Sequence, residues 1–298
     1  MNKQSWKCIF LLSIFAATFM FASCDDSDPC AGVIVFPDDN LEAAIRTAID
    51  MPNGYFMQED FIDLTELYAM GRGVSDLTNI QCPDNLTMLH LGHNQISDLG
   101  PLGDMPELSE RDLSFNQLSD IGPLRDLTGL RLLSLSNNQI SDLSPLSHMT
   151  ELVRLDLSSN QISSVTPLGG VNRFMMVDAY TKKIVYVHDE SIMTDLMELN
   201  LSSNRISDMS PLINMDRLVQ LNLSSNQISA LSPLDNMTAL IALNLSSNQI
   251  TDLSPLLNTA NLKEVNIANN PLNCGDAKTL KQISALESRG IHVIHDCE

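Results

Sequence analysis

Residues 133–146 read LSLSNNQISDLSPL, and the phrase returns as LHLGHNQISDLGPL at 89–102, LNLSSNQISALSPL at 221–234 and LNLSSNQITDLSPL at 243–256. Its asparagine falls at Asn94, Asn116, Asn138, Asn160, Asn204, Asn226, Asn248 and Asn270, an interval of 22 residues broken once by one of 44. Self-similarity at such a period marks a stack of equivalent units, each needing neighbours to bury its apolar face. Within a unit, alternate residues of a short strand point to opposite sides. Leu133 and Leu135 therefore point inward and Ser134 and Ser136 outward. Ile140, Leu143 and Leu146 bring the chain back across the core, and Pro145 stiffens a return too short for a full helix. Asn138 stands at the bend, where its amide can satisfy backbone donors and acceptors inside the stack.

The LxxLxLxxN pattern at this period resembles the leucine-rich repeat. It implies an α/β solenoid of about nine coils of 22 residues, with parallel strands on the concave face, short 3₁₀ turns on the convex face and helical caps. Leu64, Leu67, Ala69, Arg72, Val74 and Leu77 fit a unit before Asn94. In the interval of 44, Phe174, Val177, Ala179, Lys182, Ile184 and Val187 occupy the stations of a disguised repeat, so the coils are expected to run unbroken through 172–193. The organisation expected is a signal peptide (1–23), a tether (24–34), an N-terminal helical cap (35–63), the repeat array (64–272) and a C-terminal cap (273–298).

From Asp39 the pattern turns helical, with Leu41, Ala44, Ile45, Ala48 and Ile49 on one face and Asp39 and Glu42 as a capping-box pair. Pro52-Asn53-Gly54 stops it, and a second short helix starts near Gln58. At the other end Asp276 caps a helix burying Leu280, Ile283 and Leu286, and IHVI (291–294) forms a last strand. Met105, Met149, Met215 and Met237 share one station, which recurrent burial explains.

Lys3 and Lys7 precede the apolar run CIFLLSIFAATFMFA, the form of a secretion signal. FASC at 21–24 resembles the bacterial lipobox, which implies lipid on Cys24. With Asp25 following, the implied location is the cell envelope: the periplasmic face of the inner membrane in a Gram-negative cell, the cell surface as the alternative. Cys30, Cys82, Cys274 and Cys297 remain; an oxidising compartment suits two disulfides, and four cysteines allow three pairings. Terminal placement favours Cys30–Cys82 and Cys274–Cys297. A formal charge of −20 and an aromatic content of 5% exclude nucleic acid as a partner, and leave a membrane to be reached only through the N-terminal lipid.

The six histidines do not converge in the pattern, and HExxH, GxSxG and phosphate-binding glycine loops are absent, so neither an enzyme nor a cofactor is expected. Asp112, Asp156 and Asp178 share an outward column where calcium could bind, but solvated acids are the simpler reading and no metal is expected.

FPDDNLEAAIR (36–46), LTELYAMGRGVSDLTNI (64–80), the NQISDLSPL repeats and NPLNCGDAKTLKQISALESRGIHV (270–293) together resemble bacterial internalin-like leucine-rich repeat proteins. The resemblance implies a concave face that binds proteins, with adhesion to host cells in some members. A lipid-anchored extracytoplasmic protein-binding module follows; the alternatives are a structural envelope protein without a ligand and a carbohydrate- or calcium-binding surface protein. The outward columns are nearly uniform Asn and Ser in the C-terminal coils and individual in the N-terminal and central ones. An unknown protein ligand is therefore expected around Phe115, Arg154, Met176, Asp178 and Tyr180, with Lys182 and Lys183 adding positive charge alongside.

Overall fold

The computed structural model describes residues 29–297, except 106, 109, 170–173, 178–183, 188–192 and 194. The strands are β1 (Glu66–Tyr68), β2 (Met88–His90), β3 (Glu110–Asp112), β4 (Leu132–Ser134), β5 (Arg154–Asp156), β6 (Phe174–Val177), β7 (Ile184–Val187), β8 (Glu198–Asn200), β9 (Gln220–Asn222), β10 (Ala242–Asn244), β11 (Glu264–Asn266) and β12 (His292–Ile294). All but β6 and β7 form one 10-stranded sheet in chain order, and its pairings are parallel. The strands are short because each coil contributes only one outward–inward–outward triplet. Their middle residues, among them Leu67, Leu89, Leu133, Leu155, Leu199, Leu221 and Leu243, are buried.

The return path is a 3₁₀ turn in most coils, for example Gly100–Leu102, Ser144–Leu146, Ser210–Asn214 and Ser254–Asn258, each with proline in its first two positions. An aspartate two residues ahead organises the turn: Asp98, Asp142 and Asp208 accept the amides of Gly100, Ser144 and Ser210 at 2.8 Å. Met105, Met149, Met215 and Met237 are buried at the same station, as packing predicts.

The bend after each strand is held by asparagine. Asn138 accepts the Leu118 amide at 3.0 Å through Oδ1, and its Nδ2 donates to the carbonyls of Leu113 and Leu135 at 3.0 and 3.1 Å. One side chain thus serves its own coil and the preceding coil. The residue before it turns left-handed, with φ of 52–59° from His93 and Phe115 through Ser225 to Asn269.

The expectation of an unbroken period through 172–193 is overturned. β5 pairs directly with β8, placing Arg154 opposite Glu198 and Asp156 opposite Asn200. Asn204 spans the gap, accepting the Ile162 amide at 3.0 Å and donating to the Leu157 carbonyl at 3.0 Å. β6 and β7 instead pair antiparallel with each other, Phe174 opposite Val187 and Val177 opposite Ile184, and approach no other described element. The reason is commensurability: an insertion one period long leaves the following asparagines in register. Met193 and Leu196 are buried at the return-turn stations that Met149 and Leu152 occupy one coil earlier.

The N-terminal helix α1 (Asp39–Ala48) buries Leu41, Ala44 and Ile45. Its cap is Asp38 rather than Asp39. Oδ1 of Asp38 accepts the amides of Asn40 and Leu41, while Oδ2 accepts the Ser75 amide and hydroxyl and the Asp76 amide at 2.8–3.1 Å. One carboxylate therefore caps the helix and fastens it to the first coil. Below it Phe36, Phe56 and Phe61 pack with ring centroids 5.4–6.1 Å apart, and the Arg46 guanidinium lies 4.2 Å from the Phe56 ring. A 3₁₀ turn at Gln58–Phe61 follows, and Cys30 is bonded to Cys82.

The return after β5 is a short helix, α2 (Thr166–Gly169). At the C-terminus Asp276 caps α3 (Ala277–Ser288), whose buried residues are Thr279, Gln282, Ile283 and Leu286. Leu280, expected on that face, is 40% exposed. Gln282 takes the inner position and donates to Asp252 Oδ1 and Ser254 Oγ at 2.7 and 2.9 Å. β12 then extends the sheet beside β11, and Cys274 is bonded to Cys297.

Burial pushes the Asp38 pKa up, but the hydrogen bonds from Ser75, Leu41 and Asp76 outweigh it and hold the carboxyl below 3.8. A depressed native pKa contributes stability above the unfolded-state value, and that stability is lost as pH falls through the native value. Asp38→Ala is expected to cost about 1–3 kcal/mol at neutral pH in urea unfolding, with the gap to the parent closing below the ordinary aspartate range. Deleting 171–192 restores the 22-residue interval between Asn160 and Asn204. That variant is expected to fold with unchanged far-ultraviolet circular dichroism per residue and a stability within about 1 kcal/mol of the parent. A loss several times larger would show that the hairpin contributes to packing.

Candidate binding face

First residues of the strands, Glu66, Met88, Leu132, Arg154, Glu198, Gln220, Ala242 and Glu264 among them, form one outward column. The third residues form the next: Tyr68, His90, Asp112, Ser134, Asp156, Asn200, Asn222, Asn244 and Asn266. From Arg154 to Asn266 they border a shallow depression of about 410 Å³. A second, of about 280 Å³, is bordered by His90, Asp112, Leu132, Ser134, Arg154 and Asp156.

The C-terminal half is self-satisfied. Asn222 and Asn244 accept the amides and hydroxyls of Ser224 and Ser246 through Oδ1 at 2.8–3.1 Å. At the junction of β5 and β8, Arg154 makes a two-pronged ion pair with Glu198, at 2.6 and 3.2 Å. Exposed pairs of this kind contribute roughly 0–1 kcal/mol. Arg154 is therefore on the face as expected, but its neighbour is Glu198.

The N-terminal end differs. Tyr68, 59% exposed, stacks on His90 with centroids 4.6 Å apart, and its hydroxyl donates to Glu66 at 3.0 Å. At the margin Phe115, 46% exposed, stacks on His93 at 4.1 Å. Both residues of that second pair sit at left-handed positions, which turn their rings outward from the bend. Asp112 accepts the Ser114 amide and hydroxyl at 3.0 and 2.6 Å through Oδ1. Its Oδ2 leans over Gly92, 2.7 Å from where a Cβ would stand, so only glycine there admits this rotamer.

The patch expected at Phe115, Arg154, Met176, Asp178 and Tyr180 is not assembled as register implied. Met176 belongs to the hairpin, off the concave sheet, because β5 joins β8 directly. Asp178, Tyr180, Lys182 and Lys183 lie outside the described residues, as does Cys24. The Asp156–Asp178 approach considered for calcium is replaced by Asp156 beside Asn200. Among the described residues no group of three His, Cys, Asp or Glu side chains could hold a metal ion. The expected patch does not include Tyr68; extending the column of His90 back one period finds it.

A further surprise lies beneath this end. Arg111 occupies an inward station held by leucine in β2, β4 and β5 and is only 3% exposed. Its Nη2 donates to the Met105 carbonyl at 3.3 Å, while Nε and Nη1 have no hydrogen-bond partner among the described residues. Burial pushes its pKa down to about 9. Unpaired buried charge is costly, and an apolar replacement of similar volume is often stabilising. Arg111→Leu is expected to raise stability by about 1–4 kcal/mol in urea unfolding. Because the native pKa is below the unfolded value, the penalty is complete below about pH 9 and eases as pH rises above it. The gain from leucine should therefore shrink at alkaline pH.

Family models agree with the geometry. A model of leucine-rich repeats in two copies matches residues 84–126, 112–148, 128–170 and 196–236, and a single leucine-rich repeat model matches 236–253. The stretch left between 170 and 196 is the one that contains the hairpin. Among solved structures, the internalin InlF of Listeria monocytogenes is 30% identical with a TM-score of 0.74, over 87% of this chain and 69% of that one. Internalin C2 of the same organism is 33% identical with a TM-score of 0.67, over 80% of this chain and 95% of that one. The functional domain of InlJ, described as including a cysteine ladder, shares the fold at 24% identity and a TM-score of 0.61; this chain spans 60% of it. Curated protein sequences give no match. The chain belongs to the internalin-like leucine-rich repeat proteins, a class built as a protein-interaction module.

Proposed function

We propose that this protein is an extracytoplasmic, lipid-anchored module that holds another protein on the N-terminal half of its concave face. The observation that carries the reading is the unevenness of that face. Ser224, Ser246, Asn222 and Asn244 satisfy one another in the C-terminal coils, whereas Tyr68, His90, His93 and Phe115 present stacked rings at the other end. Binding hot spots are a few large anchors among small polar neighbours. Two disulfides support an oxidising compartment, and the FASC stretch supports lipid attachment at Cys24.

The test is crosslinking in native envelope material, with the captured partner identified and requantified on variants. His90→Ala and Phe115→Ala are expected to weaken capture about tenfold or more, while Ser224→Ala and Asn244→Ala stay close to the parent. Uniform capture across all four, with circular dichroism showing them folded, rejects the concave-face reading. Mass spectrometry of the mature N-terminus checks the anchor: a diacylglyceryl-modified Cys24 is expected, and an unmodified terminus at another residue overturns it.

A further inference from the structure

Glu66, Tyr68, His90 and Asp112 stand on three consecutive strands at the start of the sheet, so they fall within about 10 Å of one another. The Tyr68 ring is braced from both directions, by the stack with His90 and by the hydrogen bond to Glu66. A braced, exposed ring loses little freedom on binding. The Glu66 and Asp112 carboxylates flank the stacked pair, and Asp112 leans toward it over Gly92. The whole chain carries a formal charge of −20, and on the concave columns Arg154 is already paired with Glu198. An electron-rich ring beside a carboxylate, in an acidic field, is complementary to a cation presented by another chain. An anionic partner would meet repulsion from every side.

We infer that this end of the concave face recognises a basic side chain, lysine or arginine, of a protein partner, seated against the exposed part of the Tyr68 ring beside Glu66, with Asp112 on the far side of His90 adding to the acidic field. The Phe115–His93 pair at the margin supplies the apolar contact for the residues beside it. This rests on the protein-binding reading above and adds the chemistry of the partner. A neutral sugar could stack on the ring and donate hydroxyls to the carboxylates, but it carries no charge to complement the acidic field.

The probe is a fluorescein-labelled peptide of alternating arginine and serine, with its glutamate counterpart, titrated against the full chain by anisotropy. The basic peptide is expected to bind and the acidic one not. Tyr68→Ala and Glu66→Gln should each weaken binding about tenfold, and Tyr68→Phe, which keeps the ring, by no more than about threefold. Glu264→Gln removes the same charge from the same strand position at the far end of the repeats and should change affinity less than twofold. Equal losses from Glu66→Gln and Glu264→Gln would mean diffuse attraction and overturn the site. So would unchanged affinity in Tyr68→Ala. Failure here with continued loss of envelope capture in Phe115→Ala would remove the basic-partner inference and leave the binding-module reading standing; loss of neither would remove both.

Discussion

The bend after each strand is the constraint on which the solenoid depends. A chain that turns through its own interior every 22 residues leaves backbone amides and carbonyls where water cannot reach them, and each one left orphaned costs about 1–3 kcal/mol. A primary amide solves this because it carries both a donor pair and an acceptor on a short stem. Asn116, Asn138, Asn226 and Asn248 use both ends at once, tying the interior of one coil to the backbone of the one before. The leucines supply the driving force for stacking, but these amides set where each coil may stop.

The two ends answer a different problem. A stack has an open apolar face at each terminus, and each is closed by a helix whose attachment is polar as well as apolar. Asp38 joins α1 to the first coil, and Gln282 joins α3 to the last. The Gln282–Asp252–Ser254 cluster also draws the Asp252 carboxyl well below the ordinary range, through the Ser254 hydroxyl first and the Gln282 amide next. Function then sits where repetition relaxes. Outward residues of the array answer to no packing demand, so Tyr68, His90 and Asp112 can differ from the Asn and Ser of the later coils at no structural cost.

Much of this was legible in residue spacing alone. The LxL triplets located the sheet, the prolines located the convex turns, and Asp276 located a helix start. What escaped shares a physical cause: a period reports spacing, not topology. The apolar residues of 174–187 satisfy the stations of a coil and of a hairpin equally, and an insertion of one repeat length hides itself. Lys182 was the informative departure, since an ammonium group cannot accept the amide of a preceding coil as the Asn204 carbonyl does. Arg111 is legible as a charge at a leucine station, but spacing alone does not tell whether such a side chain is buried or turned out to solvent. The one-residue shift from Asp39 to Asp38 reflects the choice between two adjacent carboxylates, settled only by the contact with Ser75 and Asp76.

The disulfides also determine how the molecule would carry load. Tension entering near Cys30 passes directly to Cys82, and tension leaving near Cys297 passes to Cys274, across sequence separations of 52 and 23. The segments between those partners, including α1, β1, α3 and β12, lie off the line of force. A pull on the two termini therefore loads the coils from residue 83 to 273 and leaves both caps folded. Extension would stop short of the full contour length by the two shielded loops, roughly 3.5 Å for each residue withheld. Refolding would then start from an end already in place.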